Sequence, residues 1–461
     1  MASIYKVRIS ITCSTMHLVF LIHGLFGNPS HLNSMLHSLE ARAKRQKSDI
    51  VVHRAQSIST TRTFDGIEAN AERLYLELVH LLTTTNATEI SIVGYSLGGL
   101  LARMLVGMLH EDGILEKVKP KIFATFATPH LGSTFVTSPS LSVWSPSFVF
   151  SRLFNAFGPW LVGPTGRDLF RKNNIINDLS SPQGSSMLAL RKFENLFIFA
   201  NGIRDRTVHF WTAFIADRNP FNYISTQSEN SHGHKNSDIN NANISSKGDI
   251  TTKTVTASTS ERTRPMSIST FDGYPMFVDL ESSRYGKNPH LNSPILHTIL
   301  FAVFVPPLFL VLIFLLIGIS SYAWSRSAFR AMFGNPIDGN SHRHAAREKL
   351  MSTLQQALET SLNAEEDDGE ELNTMMTNEG DNKIQCAWSP GYKGLIESCP
   401  ETLDLPQDVQ DNIRSLNSLP WQKYAVVLPR MNTHSQIVDR MGETKDGKAI
   451  MDYFAYRLCN D

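Results

Sequence analysis

The stretch Ile90-Ser91-Ile92-Val93-Gly94-Tyr95-Ser96-Leu97-Gly98-Gly99 decides how the chain is read. A β-branched apolar run enters it, and the amphipathic run Leu100-Leu101-Ala102-Arg103-Met104-Leu105-Val106 leaves it. That order predicts a buried strand, a tight turn and a helix. The turn carries a G-x-S-x-G pattern, which holds a serine on a strained strand-to-helix corner. Gly94 and Gly98 flank Ser96 because a Cβ at either position crowds such a turn. The helix that follows directs its first amides, that of Leu97 among them, toward negative charge developing near Ser96.

Outward from this corner, strand and helix patterns alternate. Residues 16–22 form an apolar strand that runs into His23-Gly24-Leu25-Phe26-Gly27-Asn28. The glycines of that loop permit turn conformations. Ahead of a serine corner, such a loop is also where a second amide for a developing oxyanion is expected, and the N–H of Leu25 is the candidate, paired with that of Leu97. A helix over 29–45, a short strand over 50–53 and an amphipathic helix over 66–82 precede the corner strand. Strands over 121–127 and 196–200 follow it, and the last is read over 421–428 with a helix over 435–441 behind it. Such alternation implies an α/β architecture, a mostly parallel sheet with helices on both faces.

Polar loops close these late strands. Strand 196–200 opens into Asn201-Gly202-Ile203-Arg204-Asp205-Arg206-Thr207-Val208, and strand 421–428 opens into Pro429-Arg430-Met431-Asn432-Thr433-His434. A nucleophilic serine needs a base beside it and a carboxylate to orient that base; where the serine sits on a G-x-S-x-G strand-to-helix corner, the expected chain order is Ser…Asp…His. Ser96, Asp205 and His434 satisfy this order at strand ends. His130 precedes any acid that could orient it, and His209 is only four residues from Asp205, so both are weaker bases for Ser96.

Composition bounds the rest. With 43 basic and 43 acidic side chains, no global basic field points to nucleic acid. The four scattered cysteines form neither a disulfide framework nor a metal-ligand cluster, so no metal or cofactor is expected and a reducing compartment is the simplest reading. The N-terminal residues 1–8 alternate like a strand and lack the pattern of a signal peptide. Residues 299–319 are 21 in a row without a charge, interrupted by Pro306-Pro307. Their length suits a bilayer span. A single crossing, however, would put Asp205 and His434 on opposite sides of a hydrocarbon core ~30 Å thick. The prolines separate 295–305 from 308–319, two arms of about 16–18 Å at helical rise. That favours a hairpin entering and leaving on one side, with an interfacial segment or a buried core hairpin as the alternatives.

These motifs resemble the α/β-hydrolase superfamily. Within it they are most similar to the serine-esterase lipases whose fungal members act on phospholipids at lipid droplets. The resemblance is carried by His23-Gly24-Leu25-Phe26-Gly27, Gly94-Tyr95-Ser96-Leu97-Gly98-Gly99, Thr128-Pro129-His130-Leu131-Gly132, the Asp205 loop and Asn432-Thr433-His434. It implies an α/β-hydrolase fold and a cytosol-facing lipase or phospholipase on a lipid droplet or endoplasmic reticulum membrane. A triacylglycerol or sterol-ester lipase, an acyltransferase and a non-catalytic lipid-surface protein are the alternatives. Lipid and a membrane surface are the expected partners, and protein partners stay open. The expected organisation has a core over 1–224, in which 134–190 is either a lid or ordinary helical packing. A disordered Ser/Asn-rich insertion over 225–270 and a connecting segment over 271–294 follow. The membrane-associated hairpin occupies 295–325, a polar, acidic linker 326–384, and 385–461 returns to the core with the histidine.

Overall fold

The computed structural model describes residues 16–134, 152, 155–160, 162–202 and 205–218, short stretches between 269 and 332, then 339–365 and most of 402–460. Residues 1–8, the Ser/Asn-rich span 225–268 and the apolar run as far as 316 lie outside the described residues.

Six strands form one parallel sheet: β1 (His17–Ile22), β2 (Ile50–Arg54), β3 (Glu89–Tyr95), β4 (Lys119–Phe126), β5 (Asn195–Asn201) and β6 (Trp421–Val426). Their order across the sheet is β2-β1-β3-β4-β5-β6. After β2 the chain crosses back to the other side of β1, so the ends of β1 and β3 flank a switch point, where open α/β sheets leave a crevice. The sheet therefore places the glycine-rich loop and Ser96 beside each other.

Alternation along each strand divides the core. Leu18, Phe20 and Ile22 point to one face, Val19 and Leu21 to the other, and all are fully buried. On the first face lie α2 (Ile67–Thr85) and α3 (Leu97–Glu111), which pack on each other. On the second, α1 (Asn33–Gln46) packs against the C-terminal helix (Lys445–Asn460). Residues buried on both sides explain why the strands read as continuous apolar runs.

Two sequence expectations need correction. The span 326–384, read as a linker, contains a helix at Gly339–Glu365 that packs on α2. Leu350 is fully buried there, and Arg343 donates to Asp112 Oδ2 at 2.7 Å and to the Met108 carbonyl at 3.0 Å. Ala346, Met351 and Leu354 pack against the same core, and Arg347 Nε donates to the Asp112 carbonyl at 2.8 Å. The helix expected over 435–441 is instead a single turn at Thr433–Gln436. Asp439 adopts φ 47° and Gly442 φ 68°, left-handed conformations that end it. Lys445–Asn460 is a final helix absent from the sequence reading, with Ile450, Phe454 and Leu458 buried at four-residue spacing.

Buried histidines make the fold acid-sensitive. At the start of β1, His17 Nε2 lies 2.8 Å from Ser91 Oγ, and burial, aided by the Lys121 charge, holds its pKa down to about 4. Burial also lowers His23 and His130. In the unfolded chain these groups take up protons near pH 6.5, whereas the folded chain takes them up only at lower pH. Stability is therefore complete above pH 6.5 and falls as the pH drops toward 4, by about 3 kcal/mol from His17 alone. A melting temperature that decreases steadily from pH 7 to pH 4.5, less steeply in His17→Gln, is the expected result.

Candidate active site

Ser96 sits at φ 55° and ψ −126°, between the last residue of β3 and the first of α3. Strain of this kind costs about 1–3 kcal/mol, and surrounding bonds hold the turn in place. The Ser96 N–H donates to the Phe126 carbonyl at 2.8 Å, and Gly99 N–H donates to the Ser96 carbonyl at 3.1 Å. A Cβ on Gly98 would lie 2.3 Å from the Ile22 carbonyl oxygen, and one on Gly24 would lie 2.7 Å from Ser96 Cβ. Side chains at either position would force the β1 loop away from the serine.

The structure brings the three distant residues together. Ser96 Oγ lies 3.0 Å from His434 Nε2, and His434 Nδ1 lies 2.8 Å from Asp205 Oδ2. Asp205 is almost wholly enclosed, its side chain 2% exposed. Asn201 Nδ2 donates to its Oδ2 at 2.8 Å, and the N–H groups of Thr207 and Val208 each donate to its Oδ1 at 2.9 Å. Burial alone would raise the carboxyl's pKa. The His434 ring and these hydrogen bonds outweigh that and hold it below the usual range, so Asp205 is an anion at neutral pH. The Tyr95 hydroxyl donates to the His434 carbonyl at 2.9 Å and fixes the short turn that carries the imidazole. Tyr95 stood in the motif without a role, since nothing in the sequence signals this bond.

An apolar pocket of about 170 Å³ opens beside Ser96, lined among others by Leu25, Leu97, Val162, Leu169 and Phe170. Val162, Leu169 and Phe170 come from the span read as lid or helical packing, so the described part of that span walls the serine. Phe26 N–H donates to Thr63 Oγ1 at 2.9 Å and Gly27 N–H to the Gly24 carbonyl at 3.0 Å. Between them, the Leu25 N–H makes no hydrogen bond among the described residues. Leu97 is the first residue of α3, so its N–H has no intrahelical acceptor. Leu25 and Leu97 both line the same pocket.

The rival histidines lie elsewhere. His130 is fully buried, 3.0 Å from Thr125 Oγ1, with its carbonyl accepting from Arg103 at 3.1 Å. His209 caps the short helix Phe210–Phe214. Neither pairs with Ser96 Oγ, whose hydrogen-bond partner is His434.

Fold and site together have the arrangement of a serine hydrolase of the α/β-hydrolase class. Residues 12–218 match the family described as "Putative serine esterase (DUF676)". The match includes Ser96 and Asp205 and ends before β6 and His434. The chain is 29% identical over 218 residues to "Putative lipase ROG1" of Saccharomyces cerevisiae, covering 45% of this chain and 30% of that protein. It is 28% identical over 213 residues to "Putative lipase C4A8.10" of Schizosaccharomyces pombe, covering 43% and 26% respectively. The alignment thus spans less than a third of either yeast protein's length. A "Triacylglycerol lipase" of Pseudarthrobacter phenanthrenivorans is 29% identical over 125 residues, 26% of this chain and 36% of that one. Among solved structures, a putative cell surface hydrolase from Lactobacillus plantarum matches at 14% identity and TM-score 0.23, over 43% of this chain and 74% of that one.

Proposed function

We propose that the chain is a lipase cleaving an acyl ester bond of glycerophospholipids at a membrane or lipid-droplet surface. The observation that carries this reading is the Ser96–His434–Asp205 row facing an apolar pocket. Ser96 Oγ attacks the ester carbonyl carbon while His434 Nε2 takes its proton, and Asp205 stabilises the imidazolium. The tetrahedral oxyanion receives the Leu25 and Leu97 N–H groups. Collapse breaks the ester C–O bond, and His434 returns the proton to the leaving alcohol. Water, deprotonated by the same histidine, then attacks the acyl-serine and frees the fatty acid and Ser96. No metal or cofactor takes part in these steps.

The phospholipid class rests on the sequence resemblance, and the lipid surface on position. β5 and β6 pair from Leu196↔Trp421 to Asn201↔Val426, so the chain before and after the apolar run 299–319 returns to one sheet. An odd number of membrane crossings between them is incompatible with that pairing, which supports attachment from one side; that this side is the cytosol is part of the proposal. Phe157 and Trp160, just before the pocket wall, are each 62% exposed. Trp324, just beyond the apolar run, donates from Nε1 to the Trp160 carbonyl at 2.9 Å. This contact ties the end of the apolar run to the rim of the site.

The test is product analysis on vesicles and emulsions containing phosphatidylcholine, triacylglycerol and sterol ester. Free fatty acid with lysophospholipid is the expected product. Fatty acid from triacylglycerol alone would favour the activity named in the bacterial relative, and acyl groups moved without release of fatty acid would show transfer. Trp160→Ser should lower the rate on vesicles about tenfold while sparing a short water-soluble ester. Tags flanking 295–325 that report opposite sides of a membrane would refute one-sided attachment.

A further inference from the structure

A polar groove of about 710 Å³ runs along α1, between it, the turn 437–442 and the C-terminal helix, on the sheet face opposite α3. Four cations line it: Arg42, Arg45, Arg440 and Lys448. None of the four has a carboxylate within ion-pair distance among the described residues. Arg42 lies 4.9 Å over the Tyr456 ring, and its buried Nε has no hydrogen-bond partner. Arg440 donates to His31 Nε2 at 2.7 Å. Burial and the Arg440 charge keep His31 neutral at pH 7, so this bond leaves the guanidinium charge uncompensated.

The two acids of the groove are already committed. Asp439 Oδ2 accepts from Ser34 Oγ at 2.8 Å, while its Oδ1 accepts from the Thr444 N–H at 3.0 Å and hydroxyl at 2.8 Å. Asp452 Oδ1 accepts from Ser38 Oγ at 2.6 Å. Four positive and two negative groups leave an excess of two positive charges, in a chain whose charges balance overall. Like charges gathered around a concavity repel unless an anion joins them.

We propose that this groove is a binding site for a phosphomonoester group. Such a group carries a charge of about −1.5 to −2 at pH 7, which matches the local excess, whereas a carboxylate brings one charge. Its three acceptor oxygens suit planar guanidinium forks that approach from two elements at once. The groove begins at Ser30, just beyond the loop carrying Leu25, and Arg440 follows His434 by six residues. It therefore opens at the sheet edge where Ser96 lies. An anionic lipid headgroup and a free phosphorylated compound present the same chemistry there. The site does not depend on the hydrolase reading.

The test uses the full chain, with inorganic phosphate in calorimetric titration and vesicles in flotation. The vesicles are phosphatidylcholine mixed with phosphatidic acid, a phosphomonoester, or with phosphatidylglycerol at matched surface charge. Binding of inorganic phosphate, preferential capture by phosphatidic acid, or both support the site. Phosphate alone assigns a free ligand, and phosphatidic acid alone assigns a headgroup. Arg45→Gln with Lys448→Gln, both exposed positions, should weaken the response about tenfold. Labelling of Ser96 by a fluorophosphonate should stay unchanged in that variant, which separates loss of the groove from misfolding. No binding of phosphate together with equal capture by the two anionic vesicles overturns the proposal. So does wild-type binding in the double variant.

Discussion

Ser96→Ala lowers ester turnover by roughly 10⁴–10⁶-fold and abolishes fluorophosphonate labelling, with the circular dichroism spectrum unchanged. The size follows from the geometry. Ser96 Oγ is the hydroxyl within 3.0 Å of His434 Nε2, and it borders the pocket that Leu25 and Leu97 also line. Without it no acyl-enzyme forms, and only weak catalysis from the oxyanion donors remains. His434→Ala and Asp205→Asn fall in the same direction. Because the three act as a unit, combining them with Ser96→Ala adds little. Labelling that persists in Ser96→Ala would assign the nucleophile to another residue.

The second large effect concerns stability. Arg103 lies on α3, wholly buried, and burial pulls its pKa down to about 9, which leaves it charged at neutral pH. Its guanidinium donates to the His130 carbonyl at 3.1 Å, the Leu179 carbonyl at 2.7 Å and Ser180 Oγ at 3.0 Å. It thereby ties the Thr128–Gly132 loop, beside Ser96, to the end of the helix Ile175–Leu179. Arg103→Met fills much of the volume but strands these buried acceptors. The expected loss is about 4 kcal/mol, or a melting temperature lower by about 10 °C. Melting at the wild-type temperature would mean that the surrounding loops satisfy one another without the arginine.

The two cases also mark what was legible in the chain. Ser96, Asp205 and His434 were found because strand ends in a parallel sheet meet at one edge, so their order along the chain is information about space. All six strands were placed within a few residues, since segments buried on both faces are apolar throughout. Arg103 was invisible for the complementary reason. A charged residue in an amphipathic run reads as surface, and only the tertiary arrangement puts two carbonyls against it. The helix Gly339–Glu365 was missed because its short apolar row, Ala346, Leu350 and Leu354, lies in a polar, acidic span, and its anchors Arg343 and Arg347 read as surface charge. The final helix did carry a four-residue period in Ile450, Phe454 and Leu458, and that signal was available. His434 was placed in a loop, yet it lies in a single helical turn, because residue periodicity says nothing about elements this short.

The pairing of β5 with β6 has a consequence for how the protein is made. Between Asn201 and Trp421 the ribosome must add roughly 220 residues, which takes ~10–40 s at ordinary elongation rates. During that interval β5 stands at the rim of a five-stranded sheet with one side unpaired, the kind of edge that recruits strands from other chains. Ser96 and Asp205 are already synthesised, while the imidazole that would activate the serine has yet to emerge. The proposed acyl transfer to Ser96 therefore cannot begin until the last strand docks, and the same event closes the open rim.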